Sequence, residues 1–164
     1  MMTKLYLPVG MIGSGKSTWA REFIKTTPNT YIIAGDDIRF MLNGGIYEHD
    51  PELESAIKEM LFNSTRALLK GKHNVILDEC YCSLSKDMRK EVALTLGDTI
   101  DALDTIAVVF PERGMQDRIE DKVMKGLRGK TVAYWKRVFR EMLEDYEPFN
   151  RDKEYYFDSV IEVK

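Results

Sequence analysis

The chain has 164 residues, 44% of them hydrophobic, and a net charge of −3 from 24 basic and 27 acidic side chains. That length supplies one well-buried core and is too short for two ordinary domains, so a single domain over residues 1–164 is expected. The acidic balance excludes a protein that coats nucleic acid through a broad positive field, while leaving room for a local basic channel.

The apolar opening from Met1 to Leu7 is interrupted at once by Pro8 and a run of glycines. Neither a cleavable leader nor a membrane-spanning segment is expected from it, and a cytoplasmic protein without membrane partners is the resulting expectation. Leu5 to Val9 reads as a short buried strand. It leads into Gly10-Met11-Ile12-Gly13-Ser14-Gly15-Lys16-Ser17, which satisfies the phosphate-binding pattern G-x-x-x-x-G-K-[ST] without substitution. Glycines at 10, 13 and 15 let successive backbone N–H groups close on an anion where a Cβ would obstruct the approach. A helix reads from Ser17 to Lys25, so strand, loop and helix come in the order that the motif requires. Gly13, Ser14, Gly15, Lys16, Ser17 and Thr18 are therefore the expected cradle for the phosphates of ATP or another NTP. Lys16 supplies a mobile charge to the β- and γ-phosphates, and the Ser17 hydroxyl is placed to ligate Mg²⁺.

Thr27-Pro28-Asn29 breaks the helix, and Thr30 to Ile33 gives a second β-prone run ending at Ala34-Gly35. Asp36-Asp37-Ile38-Arg39 follows. Asp36 stands where a helix should begin, so it suits an N-cap with Arg39 merely solvated. It equally suits a catalytic base, because residues three apart on a helix share a face and here lie just beyond a strand's carboxyl end. Spacing alone leaves both readings open.

Asn43-Gly44-Gly45 ends this helix, and His49 reads as an exposed loop residue. Apolar residues from Leu53 to Leu68 recur at helical spacing over about Pro51 to Leu69, which predicts core packing. Asn74 to Asp78 is an apolar run ending in a carboxylate, the shape of a buried strand that delivers Asp78 to the Mg²⁺ side of the phosphate loop. Cys80 and Cys82 form a lone C-x-C that supports neither a zinc site nor a disulfide framework. Ser83 or Ser85 is positioned to cap a helix running to about Leu96.

Thr105 to Phe110 reads as a fourth strand, stopped by Pro111. Residues 113–130 then form the most basic stretch, with Arg118 and Arg128 among its cations and Gly126 and Gly129 about Arg128. A solvated helix face is the usual meaning of such a run, and a mobile lid that brings a guanidinium onto a transferring phosphate is the functional one. Val132 to Tyr146 predicts a strongly amphipathic helix, and Tyr155 to Val163 a last strand at the sheet's edge. The expected fold is α/β: a three-layer sandwich around a mostly parallel sheet of about five strands, with a helical lid.

With these residues in view, the chain resembles the kinase domain of phage-type polynucleotide 5′-kinases. The resemblance is most specific from Gly10 through Ile24, and looser through Asp36-Asp37-x-Arg39, the strand ending in Asp78, and the basic segment with Arg118 and Arg128-Gly129. It implies a P-loop kinase that uses ATP and Mg²⁺ to phosphorylate the 5′-hydroxyl ends of DNA or RNA. It also implies Asp36 as the general base, Arg39 as the holder of an acceptor phosphate, Ser17 and Asp78 as the metal-holding residues, and Arg118 and Arg128 as donor contacts. Three departures stand beside it: Glu79 where the phage enzymes have threonine, Gly35 where polar residues are common, and a longer interval from Arg118 to Arg128. Two other readings remain open, a small-molecule kinase acting on a nucleoside, sugar or sugar nucleotide, and a nucleotide-gated binding module without catalysis.

Overall fold

A strand covered on both sides must place apolar residues on both faces, and β1 (Thr3–Val9) does so. Leu5, Leu7 and Val9 enter one buried cluster and Tyr6 the other. The computed structural model describes residues 2–112 and 130–164. The expected lid, with Arg118 and Arg128, therefore lies outside the described residues except for Lys130.

After β1 come α1 (Lys16–Thr26), β2 (Thr30–Ala34), α2 (Gly35–Leu42), α3 (Glu54–Lys70) and β3 (Asn74–Asp78). They are followed by α4 (Cys80–Leu84), α5 (Lys86–Gly97), β4 (Leu103–Val109), α6 (Val132–Asp145) and β5 (Ser159–Glu162). The strands form one five-stranded sheet in the order β2-β3-β1-β4-β5. Every pairing in it is parallel, from Thr30 opposite Asn74 at one side to Val109 opposite Glu162 at the other. The expected sandwich and edge strand are found, and the sheet is parallel throughout.

One face packs Leu5, Leu7, Val75, Leu77 and Ala107 against Ile57, Leu61 and Leu69 of α3 and Val92 and Leu96 of α5. The other packs Tyr6, Ile76, Ile106 and Val108 against Ala20, Trp19 and Phe23 of α1. Helices on both faces of a parallel sheet leave the carboxyl edge open, and β1, flanked by β3 and β4, is where the connections diverge to opposite sides.

Two local differences from the sequence expectation have simple causes. The helix expected from Pro51 begins at Glu54, after a turn over 51–53 that Glu52 N and Leu53 N close by donating to Asp50. Between β3 and β4 two helices replace one, because Ser85 caps α5 by accepting from Met88 N and thereby separates it from the short α4.

The C-terminal segment is tied down by a buried ion pair. Arg89 donates Nε and Nη2 to Glu154 Oε2 and Oε1, each at 2.7 Å, with both side chains 0% exposed. Asn150 N and Tyr156 Oη also donate to Glu154, so the buried carboxylate is well satisfied.

Candidate active site at the carboxyl edge of the sheet

The phosphate loop leaves β1 at Val9 and enters α1 at Lys16. Gly13 (φ 76°) and Gly15 (φ 95°) hold left-handed conformations that an L side chain resists. A Cβ on Gly10 would stand 2.9 Å from Ser14 Oγ and 3.0 Å from Phe110 Cβ. Ser83 braces the start of the loop: its carbonyl accepts from Gly10 N at 3.4 Å, and its Oγ lies 2.8 Å from Pro8 O and 3.0 Å from Glu79 O. Lys16 Nζ donates to Gly10 O and Met11 O, both at 2.8 Å, which holds the ammonium over the mouth of the loop.

Ser14 Oγ is buried and makes no hydrogen bond among the described residues. A phosphate oxygen would satisfy it, and the first turn of α1 contains no acidic residue to oppose an anion. Ser17 and Thr18 are exposed in that first turn, and Asp78 ends β3 beside them. Lys16, Ser17, Asp36, Asp78 and Glu79 line one cleft of about 670 Å³, whose apolar wall includes Trp135, Val138 and Met142 of α6. A hydroxyl and a carboxylate facing the same cleft form an oxygen donor set suited to a hard divalent cation.

Asp36 is not the helix cap. α2 starts at Gly35, its N-cap is Ala34 without a side-chain cap, and Asp36 falls in the first turn, where its charge suits the helix dipole. The carboxylate lines the cleft and lies 3.3 Å from Arg39 Nη1.

Arg39, to which the resemblance gives an acceptor phosphate, sits among acids. The guanidinium is 3% exposed, does not line the cleft among the described residues, and faces three carboxylates. Nε and Nη2 donate to Glu54 Oε1 and Oε2 at 2.9 and 2.6 Å, while Nη1 lies 3.3 Å from Asp36 Oδ1 and 3.5 Å from Glu79 Oε2. The surrounding acids hold it there: Glu54 accepts from two of the guanidinium's donors and Asp36 from a third, while Glu79 adds its charge at 3.5 Å, its buried Oε2 accepting no hydrogen bond among the described residues.

Electrostatics follow from this packing. Burial alone would lower the Arg39 pKa, but the bonds to Glu54 and the charge of Glu79 outweigh it and raise it. Burial acts upward on Glu54 too, yet donation from Arg39 and Tyr81 leaves its carboxyl below the usual range. In Glu79 burial wins, so its pKa is raised in spite of Arg39. Burial and the neighbouring Glu79 push the Cys80 thiol well up, which removes it as a nucleophile. Both cysteines are free.

The structure thus brings Lys16, Ser17, Asp36 and Asp78 to one cleft, with Gly13, Ser14, Gly15 and Thr18 also lining it. Sequence reasoning missed Glu54 and the part of Tyr81, whose Oη donates to Glu54 Oε2 at 2.9 Å. Only the departures at Glu79 and Gly35 signalled the altered corner.

A family model described as an AAA domain matches residues 5–149. A chain of the Pnkp1/Rnl/Hen1 RNA repair complex is 25% identical over 89% of this chain and 47% of that one, with a TM-score of 0.64. A chain of a second Pnkp1/Rnl/Hen1 complex structure is 32% identical over 75% and 38%, with a TM-score of 0.58. The present chain accordingly spans less than half the length of these two relatives. A fungal RNA kinase shares the fold at 20% identity over 100% of this chain and 75% of the other, with a TM-score of 0.65. With the match running from the first strand past the last long helix, the chain belongs to the AAA-domain family AAA_33, on a P-loop kinase-like α/β fold.

Proposed function

We propose that this chain, as a single kinase domain over residues 1–164, transfers the γ-phosphoryl group of ATP to the 5′-hydroxyl end of a nucleic acid, RNA or DNA. One observation carries the reading: Asp36, at the tip of β2, faces the same cleft as a complete phosphate loop. The similarity to chains of RNA repair complexes supports a nucleic-acid acceptor.

The acceptor oxygen attacks the γ-phosphorus as the bond to the β-phosphate oxygen breaks, ADP leaves, and the hydroxyl proton passes to the Asp36 carboxylate. Lys16 exchanges its loop carbonyls for phosphate oxygens, and the backbone of Gly13 to Thr18 holds the donor. Ser17 and Asp78 would hold Mg²⁺, which neutralises phosphate charge when bound. Arg118 and Arg128 are assigned to the donor phosphates by the resemblance.

A small-molecule alcohol such as a nucleoside, sugar or sugar nucleotide is the competing acceptor. The observation in its favour is the acidic lining by Asp36, Asp37, Asp78 and Glu79, which disfavours an acceptor bearing phosphates close to the reacting hydroxyl. A competition assay decides: label from ATP should pass to 5′-OH oligonucleotides in preference to nucleosides and sugars, and transfer to the small acceptors alone would overturn the nucleic-acid reading.

A further inference from the structure

We propose that Glu54 is a positioning residue for the candidate base: it grips one edge of the Arg39 guanidinium so that the remaining corner holds Asp36 in the cleft. The inference rests on the reading of Asp36 as the proton acceptor and adds to it a residue that is not part of the cleft lining among the described residues.

The geometry is that of a fork. Both carboxylate oxygens of Glu54 take donors from the Nε–Nη2 edge of Arg39, at 2.9 and 2.6 Å, and two parallel bonds fix the rotation of the guanidinium plane as one bond does not. Nη1 is then the corner turned toward Asp36 Oδ1, at 3.3 Å, and Glu79 Oε2, at 3.5 Å. Glu54 is itself held from two further sides. Tyr81 Oη of α4 donates to its Oε2 at 2.9 Å, and His49 Nδ1 lies 3.0 Å from its Oε1. Glu54 opens α3, so a rigid helix end, a loop residue and α4 converge on the carboxylate that orients the arginine.

Asp36 needs such an orienter. Its side chain is 36% exposed on the first turn of α2, and a base placed ångströms away from the reacting hydroxyl loses most of its advantage. Arg39, by contrast, is already engaged: turning its Nε–Nη2 edge to an acceptor phosphate would require the guanidinium to leave the half-buried Glu54 carboxylate.

The test compares Glu54→Gln with wild type in steady-state transfer from ATP to 5′-OH acceptors with and without a 3′-phosphate. Glu54→Gln should lower kcat by about tenfold or more on both acceptors, with the KM values of ATP and acceptor changed by less than about twofold. Because Glu54 acts through Arg39, Arg39→Lys combined with Glu54→Gln should lose little beyond Arg39→Lys alone. A kcat at the wild-type level, or a loss confined to the KM of the phosphate-bearing acceptor, overturns the inference. Should Glu54→Gln fail to fold, Tyr81→Phe, which removes a bond from a partly exposed side chain, takes its place. A fall of about two- to fivefold in kcat then supports the inference, and an unchanged kcat overturns it. If wild type phosphorylates only small alcohols, the nucleic-acid reading falls while the same comparison on that acceptor still decides for or against Glu54. Transfer to no acceptor sinks both.

Discussion

The carboxyl group of Glu79 fills the space in which residue 35 would carry a side chain. A Cβ on Gly35 would overlap Glu79 Oε2, stand 2.7 Å from Glu79 Cδ, and lie 3.0 Å from Arg39 Nη1. Glycine at 35 and glutamate at 79 thus interlock: the smaller residue makes room for the larger acid, and Arg39 pairs with it.

Gly35→Ala should therefore drive the Glu79 carboxyl out of its seat and destabilise the fold by about 1–3 kcal/mol, the usual cost of overpacking. Equilibrium urea unfolding measures it. Adding Glu79→Ala should recover part of the loss, and purely additive effects would show that the two positions do not interlock.

Lys16 and Asp36 face the same cleft in different parts, and their replacement should separate two quantities. Lys16→Ala is expected to weaken ATP binding and to lower turnover by about 10²–10³-fold. Asp36→Asn should lower turnover by about 10²–10⁴-fold while ATP affinity by titration calorimetry stays near wild type. Equal loss of both properties in Asp36→Asn would favour a structural role for the acid.

Arg128→Ala tests the part that the resemblance assigns to the basic segment. If this guanidinium neutralises charge on the moving phosphoryl group, turnover should fall by about 10³-fold or more with folding unchanged, as judged by circular dichroism. Near-normal turnover removes Arg128 from the reaction.

Acid should loosen the Arg39 corner through Glu54. Its folded-state pKa is depressed, so the stabilisation is present above the unfolded-state pKa of about 4.3 and is lost as pH falls through the folded-state value. Thermal melts from neutral pH downward should show wild type losing more stability below about pH 5 than Glu54→Gln, which has no proton to take up there. Parallel curves would mean that Glu54 does not contribute to the acid transition.

Legibility from sequence followed distance along the chain. The phosphate loop and the strand ending in Asp78 are continuous stretches whose pattern and chemistry coincide, and both stand where expected. Arg39 and Glu54 are 15 residues apart, on two helices joined by a loop without periodicity, so neither spacing nor pattern links them. The short α4 was hidden because Cys80 to Leu84 is too brief to show a helical period. The last strand is shorter than expected because Phe157 turns into the core and the Tyr156 hydroxyl lies against Glu154 and 3.1 Å from Lys86 O, which holds the chain out of the sheet until Ser159.

Ser83 has one proton and two carbonyls within its reach, one from the strand that feeds the phosphate loop and one from the turn that bears the acid corner. The strand that feeds the phosphate loop and the first turn of α4, behind Glu79, consequently meet at one hydroxyl. A tilt of α4 would therefore pull on the root of the phosphate loop and on the seat of Glu79 together, not on either alone.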